Sequence, residues 1–117
     1  MVDITKTRSQ LKERAAKDLG IIEPGETLSA EDDETFDGLV DPLIAQLSAD
    51  EVITIQDDEA IEVEFFLPLA RLLANIAGPD FGSPINEDAK RADEAILRRM
   101  ASTRPSYAII GSEDNYF

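Results

Sequence analysis

A run of carboxylates near position 35 is the first place in this sequence where residue type and spacing suggest chemistry. Asp32-Asp33-Glu34 is followed by Asp37-Gly38, and carboxylate oxygens are the ligands that calcium prefers. A calcium loop also needs ligands at fixed later positions, where this chain has Thr35 and Ile44. We therefore predict no calcium site here.

A second acidic run, Asp57-Asp58-Glu59 with Glu62, could hold a cation. Capping of the following helix by Asp57 or Asp58 explains this run more simply. The chain contains no cysteine and no histidine, which removes thiolate ligands and the commonest general base. No glycine-rich phosphate loop and no nucleophile with an adjacent base are visible. We expect a protein that is not an enzyme and has no metal or other cofactor.

Charge is strongly segregated along the chain, which carries a net charge of −14 over 117 residues. Apart from Arg71, the basic residues lie in two short stretches, and none occurs between Lys17 and Arg71. One interpretation is a solvated acidic face; the other is that opposite patches meet between copies of the protein. The residues predicted for such an inter-subunit contact are Arg8, Lys12, Arg14, Glu34, Asp37 and Asp41.

The longest apolar run, Ala60–Ala77, predicts the helix around which the others pack. Its polar positions, Glu64, Pro68, Arg71 and Asn75, form one narrow stripe at helical spacing, with apolar residues on the remaining faces. The kink at Pro68 is predicted to open toward solvent, and Gly78-Pro79 to end the helix with a left-handed cap. The charges within the run argue against a membrane span.

Three further helices are predicted from their caps and periodicity. Thr7 and Gln10 form a capping box for the first, which ends at Gly20. Ser29 caps the second, a single helix bent outward at Pro42. Ser83-Pro84 begins the fourth. The predicted buried residues of the second helix are Phe36, Leu39, Val40, Leu43, Ile44 and Leu47, and those of the fourth are Ile85, Ala89, Ala92, Ile96 and Met100.

The fold class is therefore all-α: a small four-helix bundle with a central apolar helix, a short extended connector at Val52–Ile55 and an extended C-terminal tail. We divide the chain into a helical domain, residues 1–103, and a tail, residues 104–117. The N-terminal segment has no apolar core, so neither a signal peptide nor membrane attachment is expected. The tail residues predicted to anchor a partner are Tyr107, Ile109, Ile110, Tyr116 and Phe117.

Three segments together carry a family resemblance. They are TRSQLKERAAKDLGI, LSAEDDETFDGLVDPLIAQLSADEVITI and DDEAIEVEFFLPLARLLANIAGPDFGSPINEDAKRADEAILRRM. In helix lengths, small-residue positions and glycine stops, the chain from about Thr5 to Met100 resembles the head-to-tail connector (adaptor) proteins of tailed phages.

The resemblance implies a structural protein of the virion neck, made in the host cytoplasm. Such proteins form a ring, usually of twelve copies, beneath the portal protein. The ring extends the DNA channel and bridges the head to the next neck or tail component. The implied partners are the portal, neighbouring copies and that next protein, while DNA passes without specific binding. An acidic stretch such as Glu31–Asp41 would then line the channel.

The competing class is an acidic interaction module, either a DNA mimic or a regulatory partner of a basic protein. A mimic would remain a monomer or dimer, whereas a connector would form rings or sit on one.

Overall fold

A computed structural model describes residues 5–102 of the chain. Its elements are β1 (Thr5–Lys6), α1 (Arg8–Leu19), α2 (Ala30–Ala49), β2 (Ile61–Glu62), α3 (Val63–Ala77), a 3-10 turn (Gly78–Phe81) and α4 (Glu87–Ser102). The prediction of a helical domain with four helices is confirmed. The strands pair antiparallel, Thr5 opposite Glu62, in a two-stranded sheet that the sequence did not predict. Over the described residues, no helix combines the length and apolarity needed to cross a membrane.

The first two helices begin and end as their local signals predict. The Thr7 hydroxyl accepts from the Gln10 backbone N–H at 3.2 Å, and the Gln10 side chain accepts from the Thr7 N–H at 2.8 Å. Gly20 adopts the left-handed conformation, with φ of 81°, and closes α1. The Ser29 hydroxyl caps α2, which continues as one helix past the exposed Pro42.

Helix α3 is the centre of the domain, as predicted, because it packs against α1, α2 and α4. Phe65, Leu69, Leu72 and Leu73 are completely buried within it. They join one continuous core with the apolar faces of the other helices and with Val52 and Ile53 of the connector. That connector forms no strand.

Helix α3 begins later than predicted, at Val63, because Ile61–Glu62 pairs with Thr5–Lys6 in the two-stranded sheet. The predicted cap by Asp57 or Asp58 is wrong. Glu62 occupies the N-cap position without a side-chain hydrogen bond. Asp57 instead accepts from the Glu59 backbone N–H at 3.0 Å, and Asp58 pairs with Arg8.

The polar stripe of α3 faces α4 over part of its length rather than solvent. Pro68 is buried, so the prediction of a kink open to solvent is wrong. Arg71 and Asn75 reach residues of α4 and of the segment before it. A polar stripe does not by itself distinguish a solvated face from a polar helix contact, because both need hydrogen-bonding side chains.

The buried face of α4 is also rotated from the prediction. Leu97 is fully buried and Asp93 nearly so, whereas Ala92 and Ile85 are exposed. A prediction from hydrophobic periodicity does not assign a carboxylate to the buried face of a helix. Asp93 is buried here because Arg71 supplies the opposite charge that compensates for its burial.

Gly78 does not end α3 with a left-handed cap, as the sequence predicted, since its φ is −47°. The chain continues into the 3-10 turn, and Gly82, with φ of 87°, is the left-handed residue. Position 78 requires glycine because the Ser83 backbone lies too close for a side chain: a Cβ there would lie 2.7 Å from the Ser83 backbone oxygen. The predicted start of α4 at Ser83-Pro84 is likewise wrong, because the Asn86 side chain caps that helix through the Ala89 N–H at 3.0 Å.

Gly78→Ala and Gly38→Ala are expected to change stability in opposite directions. The new methyl group at position 78 meets backbone, so we expect a loss of about 1–3 kcal/mol in the free energy of unfolding. Position 38 lies inside α2, and a methyl group there would meet nothing within 4 Å beyond the neighbouring backbone of its own helix, so alanine should add about 0.5–1 kcal/mol. Urea unfolding followed by circular dichroism measures both, and equal effects would contradict the close approach at Gly78.

Candidate interaction surfaces

A cluster of charged residues joins the start of α1 to α2 and to the loop before β2. We call it the Arg8 cluster; its members are Arg8, Lys12, Asp33, Asp37, Asp41 and Asp58. Arg8 lies 2.8 Å from Asp37 and 2.9 Å from Asp41, pairs with Asp58, and donates to the Asp37 backbone oxygen at 2.9 Å. Lys12 contacts Asp33 at 3.0 Å and Asp37 at 3.1 Å. The cluster thus connects three parts of the chain.

Burial and pairing both act on the ionisation of this cluster. The hydrogen bonds to Asp37 raise the pKa of Arg8, and those from Arg8 and Lys12 lower the pKa of Asp37. Burial works against the charged form of Lys12, but hydrogen bonds to Asp33 and Asp37 outweigh it and raise the pKa of Lys12. All three shifts favour the ionised forms, so the cluster is held together as ion pairs at neutral pH.

The residues predicted for an inter-subunit contact are largely paired within one chain. Arg8 and Lys12 do meet Asp37 and Asp41, but of their own chain rather than of a neighbour. Arg14 pairs with Asp18 on the same helix at 3.2 Å, and Glu34 is exposed. These pairs lie within one chain, and the predicted contact between copies stays a prediction.

Neither acidic run forms a metal site in the part of the chain that the structure describes. Within residues 5–102, no group of three or more carboxylates is arranged to hold a metal ion. The side chains of Asp33, Asp37 and Asp58 are already engaged by the two cations of the Arg8 cluster.

Polar contacts fix α4 against α3 beside a cleft of about 350 Å³. Arg71 pairs with Asp93 at 2.9 Å. Asn75 donates to the Asn86 backbone oxygen at 2.9 Å and accepts from the Asn86 N–H at 2.8 Å. Both the nitrogen and the oxygen of the Asn75 amide are therefore used to hold the segment that leads into α4.

A groove of about 510 Å³ runs between α3 and the C-terminal half of α4. We call it the α3–α4 groove; its lining is part apolar and part charged, and consists of Val63, Glu64, Leu67, Pro68, Arg71, Ile96, Arg99 and Met100. Val63 and Leu67 are 43% and 48% exposed, although the sequence assigned them to the buried faces of the central helix. Val63, Leu67 and Arg71 are spaced four residues apart, so they lie on one line along α3, next to Glu64. This spacing indicates a stripe distinct from the buried face of the helix.

The predicted partner-binding residues of the tail, Tyr107, Ile109, Ile110, Tyr116 and Phe117, lie outside the described residues.

Comparison with known proteins adds no relative: no family model, curated protein or solved structure matches this chain.

Proposed function

We propose that this protein is a structural component of a tailed-phage neck. In this proposal it forms a ring, with twelve copies as the expected number, beneath the portal. The ring extends the DNA channel and joins the head to the next neck or tail protein. The domain acts through protein contacts, without catalysis and without a cofactor, and DNA passes through the ring without specific binding.

The observation that supports this proposal most is the agreement between the described helices and the features that carry the resemblance. Gly20 ends α1, and Gly78 directly follows α3 at a position with no room for a side chain. The serine cap of the fourth helix is the feature that does not agree, because Asn86 caps α4. The helix order, with a short non-helical connector between the second and third helices, is the one that the connector family implies. On this proposal the four helices form the family's bundle.

The Arg8 cluster changes which acidic residues are suited to a channel wall. Arg8 and Lys12 partly offset the charges of Asp33, Asp37 and Asp41, so the middle of Glu31–Asp41 carries less negative charge than its sequence indicates. Glu31 and Glu34, both exposed, remain at the beginning of α2. We therefore place the DNA-repelling surface at the N-terminal end of α2.

Portal decoration tests the proposal directly. The purified protein is mixed with portal rings of the same phage and examined by negative-stain electron microscopy and by sedimentation. We expect an additional ring of density on one end of the portal, with a mass gain close to that of one copy per portal subunit. A protein that stays a monomer or dimer and leaves the portal unchanged would contradict the neck assignment. Such a result favours the acidic-module alternative, for which the net charge of −14 is the supporting observation.

Deleting Ser106–Phe117 is expected to abolish portal decoration and leave thermal stability nearly unchanged. A segment that adds main-chain hydrogen bonds to a partner contributes to binding, and repetition around a ring multiplies the effect by avidity. The melting temperature by circular dichroism and the decorated fraction by electron microscopy are the two measurements.

A variant with Ser112→Ala and Asn115→Ala is the control for this deletion, because it keeps the aromatic and branched residues of the same segment. It should decorate portals normally. Normal decoration by the deletion variant would show that the docking surface lies on the helices.

A further inference from the structure

The connector between α2 and β2 contains backbone hydrogen-bonding groups without partners. Val52 donates its N–H to the Leu47 backbone oxygen at 2.8 Å, just after the end of α2. Along residues 53–56, no backbone N–H or C=O forms a hydrogen bond with any residue that the structure describes. A row of unpaired backbone groups is a template on which another strand can add.

The side chains of these four residues alternate in burial as they do in a β-strand. Ile53 is buried and Ile55 half-buried, whereas Thr54 and Gln56 are exposed. Successive side chains of an extended chain point to opposite faces, which gives this two-residue period. Three of the four residues are also β-branched, a composition typical of strands. Residues 53–56, which we call the connector edge, therefore have the character of an edge strand without a neighbour.

A groove of about 600 Å³ lies between the connector and the C-terminal end of α4. Its charged members are Glu51, which is exposed, and Arg98, which donates to the Asp50 backbone oxygen at 3.2 Å, so neither sign of charge dominates. Ser102, the last residue that the structure describes, is part of the lining, and the chain that follows therefore leaves α4 at this groove. The complete lining consists of Ser48, residues 51–54, Arg98, Ala101 and Ser102.

The sequence beyond Ser102 contains a segment with the composition of a strand. Fifteen residues, 103–117, follow Ser102, and among them Tyr107-Ala108-Ile109-Ile110 has three β-forming residues in four. Five residues lead from Ser102 to Tyr107, and an extended chain of that length spans about 16–18 Å. Because Ser102 and the connector edge border the same groove, the edge lies within reach of this segment.

We propose that residues 107–110 add to the connector edge of the same chain and form a two-stranded sheet with it. An added strand supplies hydrogen-bond partners for the unpaired backbone groups, and its alternate side chains contact the groove. The same chain is the occupant because a short tether gives the segment a high effective concentration at the edge. The entropy lost on ordering the segment offsets most of the gain, so the docking adds little to the stability of the domain.

Cysteine pairs test the docking in the full chain, which contains no cysteine of its own. Thr54→Cys is combined in turn with a single cysteine at position 107, 108, 109 or 110, and intramolecular disulfide formation is timed by the loss of free thiol. We expect the rates to alternate, with neighbouring positions differing at least fivefold, because only alternate residues of a strand face the same side as position 54. Rates that change smoothly along the segment would overturn the proposal, since an undocked segment has no preferred face.

Leu67→Cys, combined with the same four cysteines, is the matched control. Leu67 is 48% exposed and lines the α3–α4 groove together with Arg99 and Met100, so it also lies near the C-terminal end of α4. These pairs should oxidise without alternation and at least fivefold more slowly than the fastest Thr54→Cys pair. Equal rates in the two series would overturn the proposal. Disulfide-linked dimers of the Thr54→Cys pairs, with a yield that rises with protein concentration, would also overturn it and identify a second copy as the occupant.

Amide hydrogen exchange, followed by nuclear magnetic resonance, tests the same contact without cysteines. Ala108→Pro removes one N–H donor from the proposed strand and prevents regular pairing. We expect the amides of residues 53–56 to exchange at least threefold faster in this variant than in the wild type. Ser112→Pro, the same kind of substitution outside the proposed strand, should leave their exchange unchanged. Identical exchange at residues 53–56 in Ala108→Pro and the wild type would overturn the proposal.

Portal decoration separates this inference from the proposed function. If that function holds, the portal and the connector edge compete for residues 107–110, so the fastest-forming Thr54→Cys pair should fail to decorate portals when oxidised and recover on reduction. Normal decoration by the wild type without alternating disulfide rates would overturn the docking and leave the neck assignment standing. Alternating rates in a protein that never decorates portals would support the docking and contradict the neck assignment.

Discussion

Leu69→Asp is expected to unfold the domain. Leu69 is 0% exposed at the centre of α3, among the apolar residues of all four helices. An unpaired carboxylate in such surroundings costs several kcal/mol, which is comparable to the whole stability of a domain of this size. Circular dichroism at 25 °C should show loss of helical signal and no cooperative melt. Leu73→Asp, at a position equally buried, should behave the same way.

Leu67→Asp is the control, since it places the same carboxylate on the same helix at a side chain that is 48% exposed. We expect it to fold with a stability within about 0.5–1 kcal/mol of the wild type. If Leu69→Asp melted like the wild type, α3 would not be the central helix of the domain in solution.

Arg8→Met is expected to lower the free energy of unfolding by about 2–3 kcal/mol, the second largest effect. The Arg8 side chain is only 15% exposed and interacts with Asp37, Asp41 and Asp58 at once. Methionine keeps most of the apolar stem but leaves three carboxylates near one another without their shared cation. Hydrogen bonds to charged groups contribute about 1.5–3 kcal/mol each, and the exposure of Asp37 and Asp41 reduces that figure here.

The effect of Arg8→Met should depend on pH in a defined direction. Pairing lowers the pKa of Asp37 in the folded state, so its contribution to stability is complete above the ordinary aspartate pKa of about 3.9. It is lost as the pH falls through the lowered folded-state pKa, because the protonated acid no longer pairs. The stability difference between wild type and variant should therefore shrink below about pH 4. Urea unfolding at low salt, from pH 7 to pH 3, measures it.

Arg14→Met provides the comparison for Arg8→Met. Arg14 makes a single pair with Asp18, four residues along α1, and its side chain is 47% exposed. Loss of such a pair should change the free energy of unfolding by about 0.5 kcal/mol or less. A difference between wild type and Arg8→Met that stays constant down to pH 3 would show that lost packing, not ion pairing, accounts for the destabilisation.

The sequence by itself determined the features that depend on residues three or four positions apart. The capping box of Thr7 and Gln10, the stop at Gly20 and the cap at Ser29 are local hydrogen bonds, and each was predicted correctly. The central place of α3 also followed from its sequence, because a helix apolar on most faces needs neighbours on several sides. Of the candidate interaction residues, the sequence identified the complementary charges on α1 and α2.

Only the tertiary structure decided which partners those residues have. Arg8 pairs with Asp58, fifty positions away in the same chain. Arg71 pairs with Asp93, 22 positions away, and this pairing compensates for the burial of the Asp93 carboxylate. Asn75 fixes the segment before α4 from eleven positions away, and Asn86 at its end caps the helix in place of Ser83. The exposure of Val63 and Leu67 depends in the same way on where α4 crosses α3. These contacts form only when distant segments pack together, and hydropathy and spacing along one segment do not specify which segments meet.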